Sequence, residues 1–202
     1  MRARTSVVVL LAALGVGATG CGDGGGAPGT VLDVHAAASL RDAFTELAGQ
    51  FEAQHPEVEV SLSFAGSSTL VQQLAEGAPG DVLATADERS MAGAVAAGLV
   101  AGEPEVFASN VLTVVVPAGN PAGVRSFRDL AEPGVQVVVC APQVPCGAAA
   151  EQVEEASGVR LSPVSEEGAV TDVLGKVTSG QADAGLVYAT DARAAGDAVE
   201  DL

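Results

Sequence analysis

The sequence contains no tryptophan, one tyrosine and five phenylalanines in 202 residues, so aromatic stacking platforms are scarce. Basic side chains are scarce as well: 9 Lys and Arg stand against 26 Asp and Glu, a formal net charge of −17. Nucleic acids and anionic membrane surfaces are recognised through Lys and Arg patches, so this balance argues against both as partners. At first sight it argues against small anions too. The chain has no G-x-x-x-x-G-K-[ST] and no G-x-G-x-x-G within a strand-turn-helix, which leaves nucleotide binding unsupported. Its three cysteines and two histidines show no C-x2-C or H-x3-H spacing, so a metal reading of Cys140, Cys146, His35 and His55 lacks a framework. What the chain does have is 48% hydrophobic residues and 25 glycines, a composition that can bury a core within one large or two small domains.

The N-terminus reads as an address. Arg2 and Arg4 precede an apolar run of eight residues, Val7 to Leu14, too short for a spanning helix of about 20. Small residues follow, Ala18-Thr19-Gly20, and then Cys21. Residues 1–20 are expected to be a secretory signal peptide. A-T-G-C resembles a bacterial lipobox, in which the cysteine is lipidated; Ala18 stands where an aliphatic residue is usual, and ordinary cleavage near Ala18 is the alternative. Residues 21–30 are Gly-rich and suit a tether. Loss of residues 1–20 leaves seven basic against 26 acidic side chains, a net −19. With Cys21 acylated, Cys140 and Cys146 remain as a candidate disulfide in an oxidising compartment. Such a bond would close a short loop, worth about 2 kcal/mol on the chain-entropy model.

Beyond residue 30 strands and helices alternate. Val31–His35 is an expected strand, followed by a turn and a helix with Leu40, Ala43, Phe44, Leu47 and Phe51 on one face and Ser39 as its N-cap. Val58–Phe64 alternates as a strand, and Gly66-Ser67-Ser68-Thr69 opens a second helix that Gly77 stops. Expected strands follow at 81–86, 111–116, 135–140, 159–164 and 184–188, with helices at 91–97, 147–156 and 170–178 and one turn of helix after Ser126. This is the pattern of an α/β protein with mostly parallel sheets, and a lobe boundary falls near 110–116.

Ser39 and Ser67 each follow a strand and begin a helix, where unpaired N–H groups and the positive dipole end favour anions. Simple N-capping explains either serine alone. A secreted serine hydrolase is the competing class; it needs a Ser–His–acid set, but His35 lies in or at the end of a strand, His55 lies in a polar stretch before Pro56, and the chain has no G-x-S-x-G, the nearest string being Gly66-Ser67-Ser68.

A-A-A-S-L at 36–40, F-A-G-S-S-T-L at 64–70, G-A-P-G-D-V at 77–82, T-A-D at 85–87, V-P-C-G at 144–147 and A-D-A-G-L-V-Y at 182–188 together resemble the molybdate-binding components of bacterial ABC importers, from about Val31 to about Ala192. The resemblance implies a two-lobed periplasmic-binding-protein fold, type 2-like, with lobe 1 over 31–112 and lobe 2 over 113–202. Members of that family continue past Leu202, so the C-terminal part of the first lobe is expected to be missing.

The implied ligand is molybdate, and tungstate with it, held by neutral donors and delivered to permease and ATPase subunits; sulfate is the alternative oxyanion. Ser39 and Ser67 match the family's two ligand serines, Cys146 a position that donates its backbone N–H, Val170 a backbone N–H at a helix start, and Tyr188 a phenol donor. The family usually carries Asn or Asp before the Val170 position and Arg after it, where this chain has Ala169 and Thr171. The resemblance further implies a monomeric, non-enzymatic, extracytoplasmic protein with no cofactor and no nucleic-acid partner. It meets the membrane only through a lipid on Cys21 and takes molybdenum only as the oxyanion.

Overall fold

A computed structural model describes residues 29–202. The expected signal peptide, Cys21 and the tether as far as residue 28 lie outside the described residues.

The first unit is a three-stranded parallel sheet in the order β2-β1-β3, made of β1 (Thr30–Ala37), β2 (Val58–Ala65) and β3 (Val82–Ala84). Its helices are α1 (Arg41–Gln54), α2 (Ser67–Ala75) and α3 (Glu88–Ala96). β1 pairs in parallel with both β2 and β3, so all three strands end on the same edge. In register terms Ala37 lies beside Ala65 and Ala36 beside Ala84. The turns that follow these residues are therefore neighbours, although far apart in sequence.

Residues 97–111 carry no helix or strand and lead into the second unit. That unit is a five-stranded sheet, β6-β5-β7-β4-β8. It comprises β4 (Leu112–Pro117), β5 (Val137–Cys140), β6 (Ser165–Glu167), β7 (Ala184–Tyr188) and β8 (Val199–Asp201), with α4 (Pro145–Ser157), α5 (Val170–Thr178) and α6 (Ala189–Ala195). β5, β6 and β7 are parallel, whereas β4 runs antiparallel to β7 and β8 antiparallel to β4. The core sits here: Val115, Val138, Val173, Val177 and Val187 are fully buried. β-branched residues in central strands and along one face of α5 fill both sides of a covered sheet.

Four local expectations change. Ser39 is not an N-cap: the chain leaves β1 through a 3₁₀ turn, Ala38–Leu40, which holds Ser39 in its middle, and α1 starts at Arg41 with no side-chain cap. The apolar stripe of α1 is not core; no residue of α1 is buried, and Leu47 and Phe51 are exposed. α1 lies along β2, the edge of a narrow sheet, which has little surface to cover the stripe. The strand expected at 159–164 begins instead at Ser165, because pairing with β5 starts at Val138↔Ser165. Val159 and Leu161 are buried as irregular chain under the sheet, so their apolar character reports burial and not pairing. Finally, Ala184–Tyr188 is not the last strand: α6 and β8 follow it.

Candidate functional site

The parallel strands of both units deliver their C-terminal ends to one place. From the first unit come the 3₁₀ turn after β1, the β2–α2 turn and the residue after Thr85; from the second come the β5–α4, β6–α5 and β7–α6 junctions. Between them lies a small cleft of about 20 Å³, lined by Ala37, Ala38, Ser39, Gly66, Ser67 and Ala86 on one side and by Val144, Pro145, Cys146, Gly168, Ala169, Val170 and Tyr188 on the other. All five residues singled out from the sequence, Ser39, Ser67, Cys146, Val170 and Tyr188, line this one cleft. No lining residue carries a formal charge. A crevice beyond the carboxyl ends of parallel strands is where open α/β sheets bind ligands.

Three helices start at the cleft: α2 at Ser67, α4 at Pro145 and α5 at Val170, and none has a side chain capping its first N–H groups. Neighbouring α3, which starts outside it, is capped in the ordinary way by Asp87 accepting from the Ser90 N–H at 2.8 Å. Uncapped helix starts leave donors for another acceptor. In α4 the first residue is proline, without an N–H, so Cys146 supplies that helix's first amide. The Gly147 and Ala148 amides turn back to the Val144 carbonyl. In α5 the Asp172 and Val173 amides do the same toward Ala169, and Val170 leads the helix from a fully buried position.

The Ser67 hydroxyl and the Tyr188 phenol each keep a proton available to donate. Ser67 is 1% exposed, and its Oγ accepts the Ala86 N–H at 2.9 Å. With a lone pair so used, the O–H remains to point elsewhere. Tyr188 ends β7, buried, and burial foremost, then Asp87 and Asp191, pushes its phenol up to about 12. The phenol thus stays protonated, a donor, throughout the physiological range. Asp191, also buried, accepts the Tyr188 N–H at 3.2 Å; burial pushes it up to about 6 against that hydrogen bond, with Asp42 adding a little.

Two features hold the walls in place. Cys140 and Cys146 are disulfide-bonded, with Cα atoms 5.6 Å apart, so neither thiol is available to a metal. Among the described residues no group of three or more His, Cys, Asp or Glu could hold a metal ion. Behind the β6–α5 turn, Lys176 binds both Ser165 Oγ (2.7 Å) and Glu167, and these contacts hold the Glu167 carboxyl below its usual range. The histidines play no part in a hydrolytic set: His35 Nε2 meets the Pro79 carbonyl at 2.7 Å while its buried Nδ1 has no partner, and His55 sits beside Glu57 at the surface.

Gly66 lines the cleft as its place before Ser67 suggests, whereas Ala86, Gly168 and Ala169 were not singled out from the sequence. Gly66 and Gly168 explain why the walls approach so closely: a Cβ on Gly66 would lie 2.2 Å from the Gly168 carbonyl oxygen across the cleft. Glycine within the F-A-G-S-S string was the available signal.

Two helix-flanked α/β units that close uncharged hydrogen-bond donors around a small cleft define a solute-binding protein. The chain belongs to the bacterial extracellular solute-binding protein family, whose model matches residues 32–201. It is 56% identical over 159 residues to the molybdate-binding protein ModA of Mycobacterium tuberculosis, covering 79% of this chain and 61% of that protein. The chain thus spans about three fifths of the length of the mycobacterial relative. Among solved structures it is similar to the periplasmic molybdate-binding protein of Azotobacter vinelandii, with a TM-score of 0.64 and 27% identity over 78% of this chain and 71% of that one. The sulfate-binding protein SubI of M. tuberculosis shares the fold, with a TM-score of 0.68 at 23% identity, over 86% of this chain and 70% of that one.

Proposed function

We propose that the cleft binds a fully deprotonated tetrahedral dianion of molybdate size, molybdate and tungstate alike, and that the protein presents it to the permease and ATPase subunits of an ABC importer. The observation that carries this reading is the donor inventory: two hydroxyls, a phenol and the first amides of α4 and α5 converge, with no carboxylate among them. A dianion without protons has acceptors only, and such a lining satisfies it. Hydrogen phosphate would bring a proton with nowhere to go, at about 1–3 kcal/mol for an unsatisfied buried group. Sulfate has the right charge but shorter bonds, and a lining shaped for the larger anion holds it loosely. Each donor to a charged ligand is worth about 1.5–3 kcal/mol, so five outweigh the cost of association.

The names and functions of the relatives support the ligand, and the family supports a location outside the cytoplasm. In this reading Ser39, Ser67 and Tyr188 donate from side chains and Cys146 and Val170 from the backbone. The protein works as a monomer, catalyses nothing, needs no cofactor and is tethered by a lipid on Cys21. No helix among the described residues is long and apolar enough to cross a membrane.

Thermal melts with molybdate, tungstate, sulfate and phosphate test the ligand. Molybdate and tungstate should each raise the midpoint by several degrees and phosphate should not. A response to sulfate alone moves the assignment to sulfate, and a response to none removes it. Cys21→Ser should release the protein from membranes; unchanged fractionation refutes the anchor.

A further inference from the structure

At the rim of the cleft two side chains of the first unit reach across to the second. Ser68 Oγ donates to the Gln143 carbonyl at 2.8 Å, and Arg89 Nη2 donates to the Pro142 carbonyl at 3.1 Å. Ser68 immediately follows the cleft residue Ser67 on α2, and Arg89 lies in the first turn of α3. The two acceptors are consecutive carbonyls of the segment joining β5 to α4, which ends in the cleft residues Val144, Pro145 and Cys146.

That segment is unusually well fixed. The Cys140–Cys146 disulfide closes it. The Ala141 amide is bonded to the Glu167 carbonyl at 2.9 Å and the Val144 amide to the Ala141 carbonyl at 3.0 Å. Gly147 packs so tightly behind it that a Cβ there would lie 1.9 Å from the Ala141 oxygen. A backbone ledge held from three sides offers its carbonyls at a set position, so a donor that meets them spends little on ordering its target. The donors themselves are peripheral. Arg89 is exposed and has one carboxylate within reach on its own unit, Asp87 at 3.7 Å, so neither crossing bond belongs to either unit's core.

We propose that Ser68 and Arg89 form a latch that closes the two units onto the ledge bounded by Cys140 and Cys146, and that this latch sets how slowly the bound anion leaves. The proposal rests on reading the cleft as an oxyanion site. Ser68 and Arg89 are positioning residues: they touch the opposite wall and not the ligand. Because the ligand contacts and the latch contacts span the same two walls, each favours the other's closed geometry. Association begins with the units apart and does not need the latch; dissociation requires breaking it.

The double variant Ser68→Ala, Arg89→Met tests this with molybdate as probe. Tyr188, the only tyrosine in a chain without tryptophan, lies in the cleft, so its fluorescence reports occupancy. Dissociation, measured by displacement with tungstate, should quicken about tenfold. Association should hold within about twofold and the ligand-free melting midpoint should not move. Ser68→Thr and Arg89→Lys, which keep a donor, should restore slow release. Reducing the disulfide should speed release from the parent and add little in the double variant; additive effects remove the disulfide from the latch. Equal slowing of association, unchanged dissociation or a lowered ligand-free midpoint overturns the latch. If the parent ignores molybdate, the oxyanion reading fails. Fluorophores at Gln73 on α2 and Gln152 on α4 then decide the latch: a longer separation in the double variant supports it, and an unchanged one rejects it.

Discussion

Replacing Gly66 with alanine should separate closure of the cleft from stability of the fold. Gly66 has φ −60° and ψ 140°, a conformation that alanine adopts without strain. Alanine there would even restrict the unfolded chain, an effect worth about 0.4–1 kcal/mol in favour of folding. The obstacle lies on the other unit. The new Cβ would stand 2.2 Å from the Gly168 oxygen and 3.3 Å from its carbonyl carbon, where Cβ contacts under 3.0 Å are essentially never seen. Both partners are backbone, so no side chain can swing away, and the walls must part by at least 0.8 Å. Hydrogen bonds to an anion spanning both walls occupy a window of about 2.7–3.2 Å, so an anion kept on one wall loses contact with the other. One lost donor to a charged ligand costs about 1.5–3 kcal/mol, or about 10- to 150-fold in affinity. Calorimetric titration with molybdate should show that loss while the ligand-free midpoint stays level or rises. Gly93→Ala, where a Cβ meets nothing within 4 Å, is the matched control. Affinity within twofold of the parent refutes the reasoning, as does a ligand-free midpoint lowered by several degrees.

Tyr188→Phe removes the phenol donor and should weaken molybdate binding about 10- to 100-fold with little change in the ligand-free melt; full affinity would take Tyr188 out of the site. Asp191, raised to about 6, holds its proton more tightly folded than unfolded, so the stability it contributes is complete below about 4 and is lost as pH rises through about 6. Asp191→Asn, neutral and still able to accept the Tyr188 N–H, should therefore melt higher than the parent at pH 7.5 and level with it at pH 4; an equal gap at both values refutes the cause. Glu167 shifts the other way, so the contribution of its Lys176 contact is present above the ordinary value of 4.5 and fades in acid. Lys176→Met should thus cost stability at pH 7 and progressively less toward pH 3, as followed by urea melts. Replacing Cys140 and Cys146 together by serine should cost about 2 kcal/mol in denaturant unfolding, while molybdate binding should stay measurable, since the role proposed for Cys146 uses its amide and not its sulfur.

The sequence made the second unit legible and half of the first. Val111–Val116, Val135–Cys140 and Ala184–Tyr188 are short apolar runs between turn residues, and each overlaps an observed strand, because a covered central strand needs apolar side chains on both faces. Ser39 could not be placed from its type alone. A serine before an apolar stripe looks like a cap, and only the 3₁₀ turn that carries the chain off β1 puts it inside the turn. Leu47 and Phe51 kept helical spacing but met no sheet, a property of strand count that periodicity does not contain. Val159 and Leu161 misled for the opposite reason, being buried without being paired. The five cleft residues came together because parallel strands bring their ends to one edge. Nothing in the local pattern marked the partner contacts of that edge, such as Ala86 on Ser67 or Gly168 against Gly66, since these join segments distant in sequence.

The proposed dianion is compatible with a net charge of −17, because the sum of charges does not describe the field inside the cleft. The lining is Ala, Gly, Val, Pro, Cys, Ser and Tyr, and three uncapped helix starts aim their positive ends into it. Low-polarity walls make those fixed dipoles count for more than they would in water. The acids nearest the site act through the phenol. Asp87 and Asp191 both raise Tyr188, which disfavours the phenolate, so negative charge beyond the ring preserves a donor toward the cleft. Each of these carboxylates also has work in the backbone: Asp87 caps α3, and Asp191 accepts the Tyr188 amide at the start of α6. An arginine in the lining would bind any anion more strongly and would accept a protonated one as readily as a bare one. Neutral donors alone impose the stricter condition that every ligand oxygen arrive without a proton, and that condition separates molybdate from phosphate at neutral pH.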